Sequence, residues 1–340
     1  MRYMLFGRSG LRVSELCLGA MTFGDGSGYT ADRAGSQEIF DAFAEAGGTF
    51  VDTASSYADG KSEVLLGEFI RSDRNHFVVS TKYTQMGEFT ATGNSRRSMI
   101  VSVERSLKRM QIEHIDLLWL HIWDFTTPIE ELMAAFEHLV SSGKVHYVGA
   151  SNMPAWEVSR GNMLADLRGW APFIGLQIEY NLLARTVERE YLPMARKLDL
   201  GVVAWSPLAT GLLSRPYDPD EARKRHQGPV IQSPPSQKDQ AVIAAVIEIA
   251  AKMGRSPAEV SLAWLRSRRS SHPVIPILGA SRVSQLRANL ACLDLKLDDA
   301  DMTRLDTLSA PELNYPLDIL SKPTLRERLF LDDFDNHRER

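Results

Sequence analysis

Eight short apolar runs, at residues 16–19, 50–52, 77–82, 115–121, 145–151, 174–180, 201–206 and 274–278, recur along this chain with helix-length amphipathic stretches between them. A strand with one wet face alternates apolar and polar residues, whereas a strand covered on both faces reads as a continuous apolar run. The eight runs therefore predict a parallel sheet buried under helices. The stretches at 35–46, 62–70, 95–110, 128–142, 154–167, 187–198, 238–253 and 299–308 are the expected helices, with Ile39, Phe40, Phe43 and Ala44 falling on one face of the first. Pro128 and Pro154 suit first helical turns, and Ser142-Gly143 suits a helix end.

The expected fold is α/β, a (β/α)8 TIM barrel, because such a barrel needs about 250 residues and the count of strands fits it. An open doubly wound sheet has the same alternation. It is disfavoured because the first strand-to-helix turn, Gly19 to Gly28, has glycines without the GxGxxG spacing of a dinucleotide fold. Short segments flanking Gly7-Arg-Ser-Gly10 read as an N-terminal β-hairpin. One domain spanning residues 1–340 is expected, with a lid loop at 209–237 and a tail at 310–340 that either packs on the barrel exterior or flaps over its mouth.

Composition narrows the function. The chain is 44% apolar and 24% charged, with a net charge of −4, so no basic excess points to nucleic acid. No apolar run approaches the roughly 20 residues of a membrane span, and glycine and arginine interrupt the N-terminus early. Cys17 and Cys292 lie in apolar surroundings without CxxC or Cys/His spacing, which fits buried free thiols in a reducing cytoplasm. No carboxylate/histidine cluster has metal-ligand spacing, so no metal is expected. The outward helix faces offer no unmistakable apolar patch, and the sequence assigns no oligomeric state.

Ionisable and polar groups fall at the same end of successive strands. Asp52, Lys82 and His121 end the second, third and fourth, Ser151-Asn152 end the fifth, Gln177 lies in the sixth, and Trp205-Ser-Pro-Leu208 end the seventh. In a barrel those ends converge on one mouth. Asp52 alone reads more readily as a cap, but Lys82 and His121 on the next two strands reverse that, Lys82 offering it an ion-pair partner. Tyr57, beside that ammonium, is expected to have its pKa lowered from about 10 and to act as a general acid. A neutral His121 can donate an N–H to a carbonyl. The set suits proton donation to a carbonyl oxygen as hydride from a cofactor reaches its carbon. Asn152 and Gln177 suit a nicotinamide carboxamide and Trp205 its ring, although Asn152 equally suits a helix cap at Pro154 and Trp205 a core position. The turn and helix N-terminus from Leu278 to Leu290, with Ser281 and Arg282, suit a phosphate, Arg282 also being an ordinary surface charge. Met21, Phe23, Tyr57, Trp123 and Asp124 are the expected walls of an apolar, aromatic pocket, with Met21 and Trp123 open to a core role.

Together these residues resemble the aldo-keto reductases over roughly residues 2–309. The resemblance runs through Tyr3-Met-Leu-Phe-Gly-Arg-Ser-Gly-Leu-Arg-Val-Ser14, Leu18-Gly-Ala-Met-Thr-Phe-Gly24, Asp52-Thr-Ala-Ser-Ser-Tyr57, Gly60-Lys-Ser-Glu-Val-Leu-Leu-Gly67, Ser80-Thr-Lys82, Asp116-Leu-Leu-Trp-Leu-His121, Gly149-Ala-Ser-Asn152, Gln177-Ile-Glu-Tyr-Asn181 and Trp205-Ser-Pro-Leu208. It implies a hairpin closing the barrel bottom and NADP(H)-dependent reduction of an aldehyde or ketone. By position it implies a tetrad of Asp52, Tyr57, Lys82 and His121, and carboxamide contacts from Ser151, Asn152 and Gln177. It further implies a nicotinamide and pyrophosphate lining from Trp205, Ser206, Pro207, Leu208 and Gly211, with Arg215 the candidate substitute for a family lysine that is absent here, and an adenosine-phosphate region at Gly279, Ser281, Arg282, Gln285 and Asn289. The chain departs from the pattern at Ser214-Arg215-Pro216-Tyr217, where many relatives have Gly-Lys-Tyr, and at Ala288, where some have an acid. The motifs also resemble the potassium-channel β subunits and related bacterial reductases, which implies as an alternative a cofactor-sensing binding protein with little turnover.

Overall fold

The computed structural model describes residues 1–26, 28–85, 92–214, 235–268 and 273–330. Strands β1 (Tyr3–Leu5) and β2 (Arg12–Ser14) form an antiparallel hairpin. Eight further strands, β3 (Cys17–Gly19), β4 (Phe50–Asp52), β5 (Val78–Tyr83), β6 (Ile115–Leu120), β7 (Val145–Ser151), β8 (Phe173–Glu179), β9 (Gly201–Trp205) and β10 (Val274–Leu278), make a closed barrel in chain order. All eight pairings are parallel, and closure comes from Ile277 and Leu278 of β10 pairing with Cys17 and Leu18 of β3. The expected (β/α)8 barrel is the observed one.

The covering helices are α1 (Arg33–Glu45), α2 (Lys61–Phe69), α3 (Arg96–Met110), α4 (Ile129–Ser141), α5 (Ala155–Arg168), α6 (Tyr191–Lys197), α7 (Gln237–Met253), α8 (Pro257–Ser267), α9 (Val283–Leu290) and α10 (Asp299–Ser309), followed by α11 (Leu317–Leu320) and α12 (Pro323–Phe330). Pro128 and Pro154 sit one position earlier than expected, as N-caps of α4 and α5. The stretch at 187–198 divides into a 3-10 turn, Thr186–Glu188, and the shorter α6. Helix α8 does not appear among the sequence expectations, yet it starts on a reciprocal Ser256/Glu259 cap with Pro257 in its first turn. Most of the expected lid, 215–234, lies outside the described residues. The tail as far as residue 330 is largely exposed. Helix α5 carries Trp156, Met163 and Leu167 in the open, an apolar stripe that was not expected.

Apolar side chains fill two zones. One lies between strands and helices; the other is the barrel interior, built on Phe6, Cys17, Phe50, Leu117, Trp119, Ile174, Val203, Ile275 and Ile277. Phe6 follows the hairpin's first strand and closes the floor. Its ring meets Phe50 at 5.9 Å and Trp119 at 6.2 Å, both edge-on. Glycines at 175 and 201 make room for it, since a Cβ there would come within 2.3 and 2.5 Å of that ring. The hairpin loop is tied down where the Arg8 N–H donates to the Asp199 carbonyl at 2.7 Å. Above this floor the strands run toward their C-terminal tips, the end at which such barrels carry their sites.

Phe6→Ala removes the ring and leaves the two glycines facing a void, at an expected cost of about 3–5 kcal/mol. The midpoint of urea unfolding measures the loss, and an unchanged midpoint contradicts the floor assignment.

Candidate active site

The site grows from the pairing of β4 with β5. Asp52 ends β4 opposite Ser80, and Lys82 lies two residues further along β5, so both β5 side chains face inward beside the carboxylate. Lys82 Nζ donates to Asp52 Oδ2 and, at 2.7 Å, to the Thr53 carbonyl. Ser80 Oγ donates to Asp52 Oδ1 at 2.6 Å, and Gln177 Nε2 reaches the same oxygen from β8 at 3.1 Å. The pair is sealed from solvent, with side-chain exposures of 0% for Lys82 and 3% for Asp52. Asp52 is thus saturated by inward donors and caps nothing. Ser80 did not stand out in the sequence, because a serine in an apolar run carries no signal of its own.

Tyr57 stands on the turn after β4. Its N–H bonds to the Ala54 carbonyl, and Ala58 and Asp59 follow in the left-handed region at φ 48° and 54°. Non-glycine residues hold that conformation at a cost, and such strain concentrates at functional sites. The ring of Tyr57 has Lys82 Nζ 4.8 Å from its centroid and the His121 ring 5.9 Å away, nearly perpendicular. Thr53 and Ser62 hydroxyls meet at 2.7 Å, and Ser62 donates to the Ala20 carbonyl, which anchors this turn to the one after β3.

Electrostatics correct one expectation. Burial raises the Tyr57 phenol above its ordinary value and outweighs the lowering effect of Lys82, so the pKa moves up rather than down. Burial also penalises the Lys82 ammonium, but the Asp52 charge and the phenol more than offset it, and its pKa is raised. His121 is lowered to about 3 by burial and by the Lys82 charge, so the imidazole is neutral near pH 7. Its Nδ1 is buried without a partner among the described residues.

Around these four, Ser151 is buried and Asn152 takes φ +46°. The Asn152 amide donates to the His121 carbonyl at 3.0 Å and to Ser151 Oγ, while Pro154 occupies the N-cap, so Asn152 is not the helix cap. Trp205 is half-buried and its Nε1 has no partner among the described residues. Beyond it, Ser206 (φ +51°), Ala209, Thr210 and Gly211 form a tight turn, with Pro207 buried and Leu208 half-buried inside it. Ser206 is held by Asn181 and in turn accepts the Thr210 N–H. Arg215 lies outside the described residues.

The β10–α9 segment forms a separate patch. Arg282 is the N-cap of α9 and exposed, Ser281 donates its N–H to Gln285 Oε1 at 3.0 Å, and Asn289 is buried. Gly279 leaves open space where a side chain would stand. Thr22 donates to the Ala280 carbonyl at 2.6 Å, which joins this patch to the turn carrying Met21.

Two expected pocket walls differ. Phe23 is fully buried and packs on Phe69 at 5.9 Å, so it belongs to the layer beneath the helices. The Asp124 carboxylate accepts from the N–H groups of Asn94, Thr126 and Thr127 and from the Thr127 hydroxyl, which commits it to shaping its own loop. Trp123 is nearly buried, whereas Met21, Tyr29, Ile122 and Phe125 are exposed on the β3–α1 and β6–α4 loops. Tyr29 acts electrostatically on Tyr57, and no motif had marked it.

The sequence pattern of the aldo/keto reductase family matches residues 15–310. The chain belongs to this family. Over 331 residues it is 33% identical to norsolorinic acid reductase of Aspergillus flavus, covering 93% of this chain and 83% of that protein. It is 34% identical over 333 residues to an aldo-keto reductase of Aspergillus calidoustus, with coverage of 92% and 83%. An NADP(+) aryl-alcohol dehydrogenase of Phanerodontia chrysosporium is 35% identical over 321 residues, with coverage of 87% and 83%. As an aldo/keto reductase the chain is an oxidoreductase that acts on small carbonyl compounds. Cys17 and Cys292 are both buried and unpaired, and among the described residues no helix is long and apolar enough to cross a membrane.

Lys82→Met leaves the Asp52 carboxylate buried without its counter-charge, and about 3–5 kcal/mol of stability is expected to be lost. Asp52→Asn combined with Lys82→Met is expected to recover a large part of it. Thermal unfolding of both variants checks this, and equal midpoints for the single and double variants contradict the pairing. The raised pKa of Lys82 sets the pH dependence: the pair's contribution is fully present at neutral pH and is lost only as pH rises through that raised value.

Proposed function

We propose that this aldo/keto reductase reduces aryl aldehydes and ketones with NADP(H), and that Tyr57 is the general acid. The observation that carries the reading is the arrangement of one phenol against a buried, charge-balanced lysine and a neutral imidazole.

Residues with unused capacity fit the cofactor. The buried Nε1 of Trp205 and Nδ1 of His121 lack partners among the described residues, and Asn152 and Ser206 hold their strand ends in left-handed turns. Ser151, Asn152 and Gln177 would hold the carboxamide; Gln177 has its amide nitrogen committed to Asp52, which leaves its oxygen as acceptor. Trp205 to Leu208 with Gly211 would line the nicotinamide and pyrophosphate, and Arg215 belongs to the same proposal. Gly279, Ser281, Arg282, Gln285 and Asn289 would hold the adenosine phosphate, with Arg282 the charge that favours NADP over NAD. When bound, the cofactor supplies the hydride that no side chain can.

The chain's own groups manage the proton. Tyr57 keeps its proton at neutral pH because burial raises its pKa, and it releases that proton to the carbonyl oxygen as negative charge gathers there. Lys82 stabilises the phenolate that results, and Asp52 keeps Lys82 charged and in place. His121, uncharged, donates an N–H to the same oxygen and adds no competing cation.

Substrate class follows from the mouth. Met21, Tyr29, Ile122 and Phe125 are exposed on the two loops flanking Tyr57 and His121, an apolar rim suited to a flat ring. The aryl-alcohol dehydrogenases among the relatives are named for aromatic compounds, which supports the same class. The two buried free thiols support a reducing cytoplasmic location.

NADPH oxidation with benzaldehyde derivatives is expected to exceed that with short aliphatic aldehydes, and NADPH to exceed NADH. Tyr57→Phe is expected to lower kcat by about 10²-fold or more while leaving NADPH binding intact. Full activity in Tyr57→Phe contradicts the acid assignment, and tight NADPH binding with no turnover across the panel favours the cofactor-sensing alternative. The rate of reduction is expected to stay flat from about pH 6 to about pH 9, because His121 titrates far below that window and Tyr57 above it. An inflection near neutrality overturns the reading.

A further inference from the structure

At the floor of the barrel, on the opposite end from Tyr57, two histidines and an aspartate come together. His114 lies in the α3–β6 loop, Asp116 is the second residue of β6 and His146 the second of β7. The register that pairs Ile115 with Val145 and Leu117 with Tyr147 makes Asp116 and His146 cross-strand neighbours. His114 is two residues before Asp116, on the same side. His114 Nε2 lies 3.9 Å and His146 Nδ1 3.7 Å from the same oxygen, Asp116 Oδ1, and all three atoms are within 4.8 Å of one another.

Hydrogen bonding does not account for this convergence. Both nitrogens stand beyond hydrogen-bond range of the carboxylate. The two imidazoles are stacked at 4.3 Å with 22° between their planes, so holding one ion requires them to turn out of the stack until both nitrogens point at it. The other carboxylate oxygen is taken: Asp116 Oδ2 accepts from Arg74 Nη2 at 2.7 Å and from the Val79 N–H at 2.9 Å. Those donors fix the carboxylate and leave Oδ1 turned to the imidazoles, the way outer hydrogen bonds orient a ligating carboxylate.

We propose that His114, Asp116 and His146 bind a divalent transition-metal ion, zinc by preference. Two imidazoles and one carboxylate are a donor set for zinc, copper or nickel rather than for calcium or magnesium, which demand oxygen. Tetrahedral zinc with bonds of about 2.0–2.1 Å sets its ligands about 3.4 Å apart, so the three atoms need to close by about 1.5 Å at most. Rotation of the partly exposed His114 and His146 side chains supplies that movement, and solvent at the open side completes the coordination. The Arg74 charge beside the site opposes a cation and Glu113 next to His114 favours one. The ion would join the α3–β6 loop, β6 and β7 at the floor, acting on stability.

The test uses the full chain stripped with a chelator and titrated with zinc chloride by calorimetry and by thermal unfolding. One zinc per chain is expected, with a rise of about 5 °C in the unfolding midpoint at saturating metal. His146→Ala and His114→Ala are each expected to weaken binding tenfold or more. Absence of saturable binding at about 100 µM zinc, or stoichiometric binding retained in the double variant, overturns the proposal. A second readout needs no variant: zinc is expected to protect His114 and His146 of the unmutated chain from diethyl pyrocarbonate, mapped by mass spectrometry. Unchanged modification of both histidines likewise overturns it.

Discussion

A charged lysine and a charged aspartate lie inside this barrel with almost no solvent contact, and much of the architecture serves to make that tolerable. Taking either ion out of water costs several kcal/mol unless the partner and further hydrogen bonds replace the lost hydration. Asp52 receives donors from β4's neighbour β5, through Ser80 and Lys82, and from β8 across the barrel, through Gln177. Only a closed sheet delivers donors from such distant strands to one carboxylate. The ring of strands is thus also a cage for the ion pair, and Tyr57 and His121 sit at its rim.

How far the sequence foretold this depends on whether the signal is local. The eight strands were legible because continuous apolar character is a property of each run by itself, and their boundaries in the structure shift by only a residue or so. Asp52, Lys82 and His121 stood out as ionisable groups interrupting those runs. Helix α8 is legible in principle through Ser256 and Glu259, but its segment lies between two stronger signals.

Properties set by surroundings were harder. The sequence suggests that a cation stands near Tyr57, but not that loss of hydration outweighs that cation and reverses the direction of the phenol's pKa shift. Phe23 reads as a pocket wall from its position after a strand, and only the packing of Phe69 against it reveals a core residue. His146 is some thirty residues from His114 and Asp116, so no spacing rule links them; the β6–β7 register does.

The plug made by Phe6 and Trp119 has a kinetic implication. It closes the interior below Asp52 and Lys82 with aromatic surface. If Tyr57 is the acid proposed above, its phenolate regains a proton from the mouth side, through the same opening by which ligands come and go. On that reading turnover and proton resupply share one doorway, and whatever fills that doorway controls both.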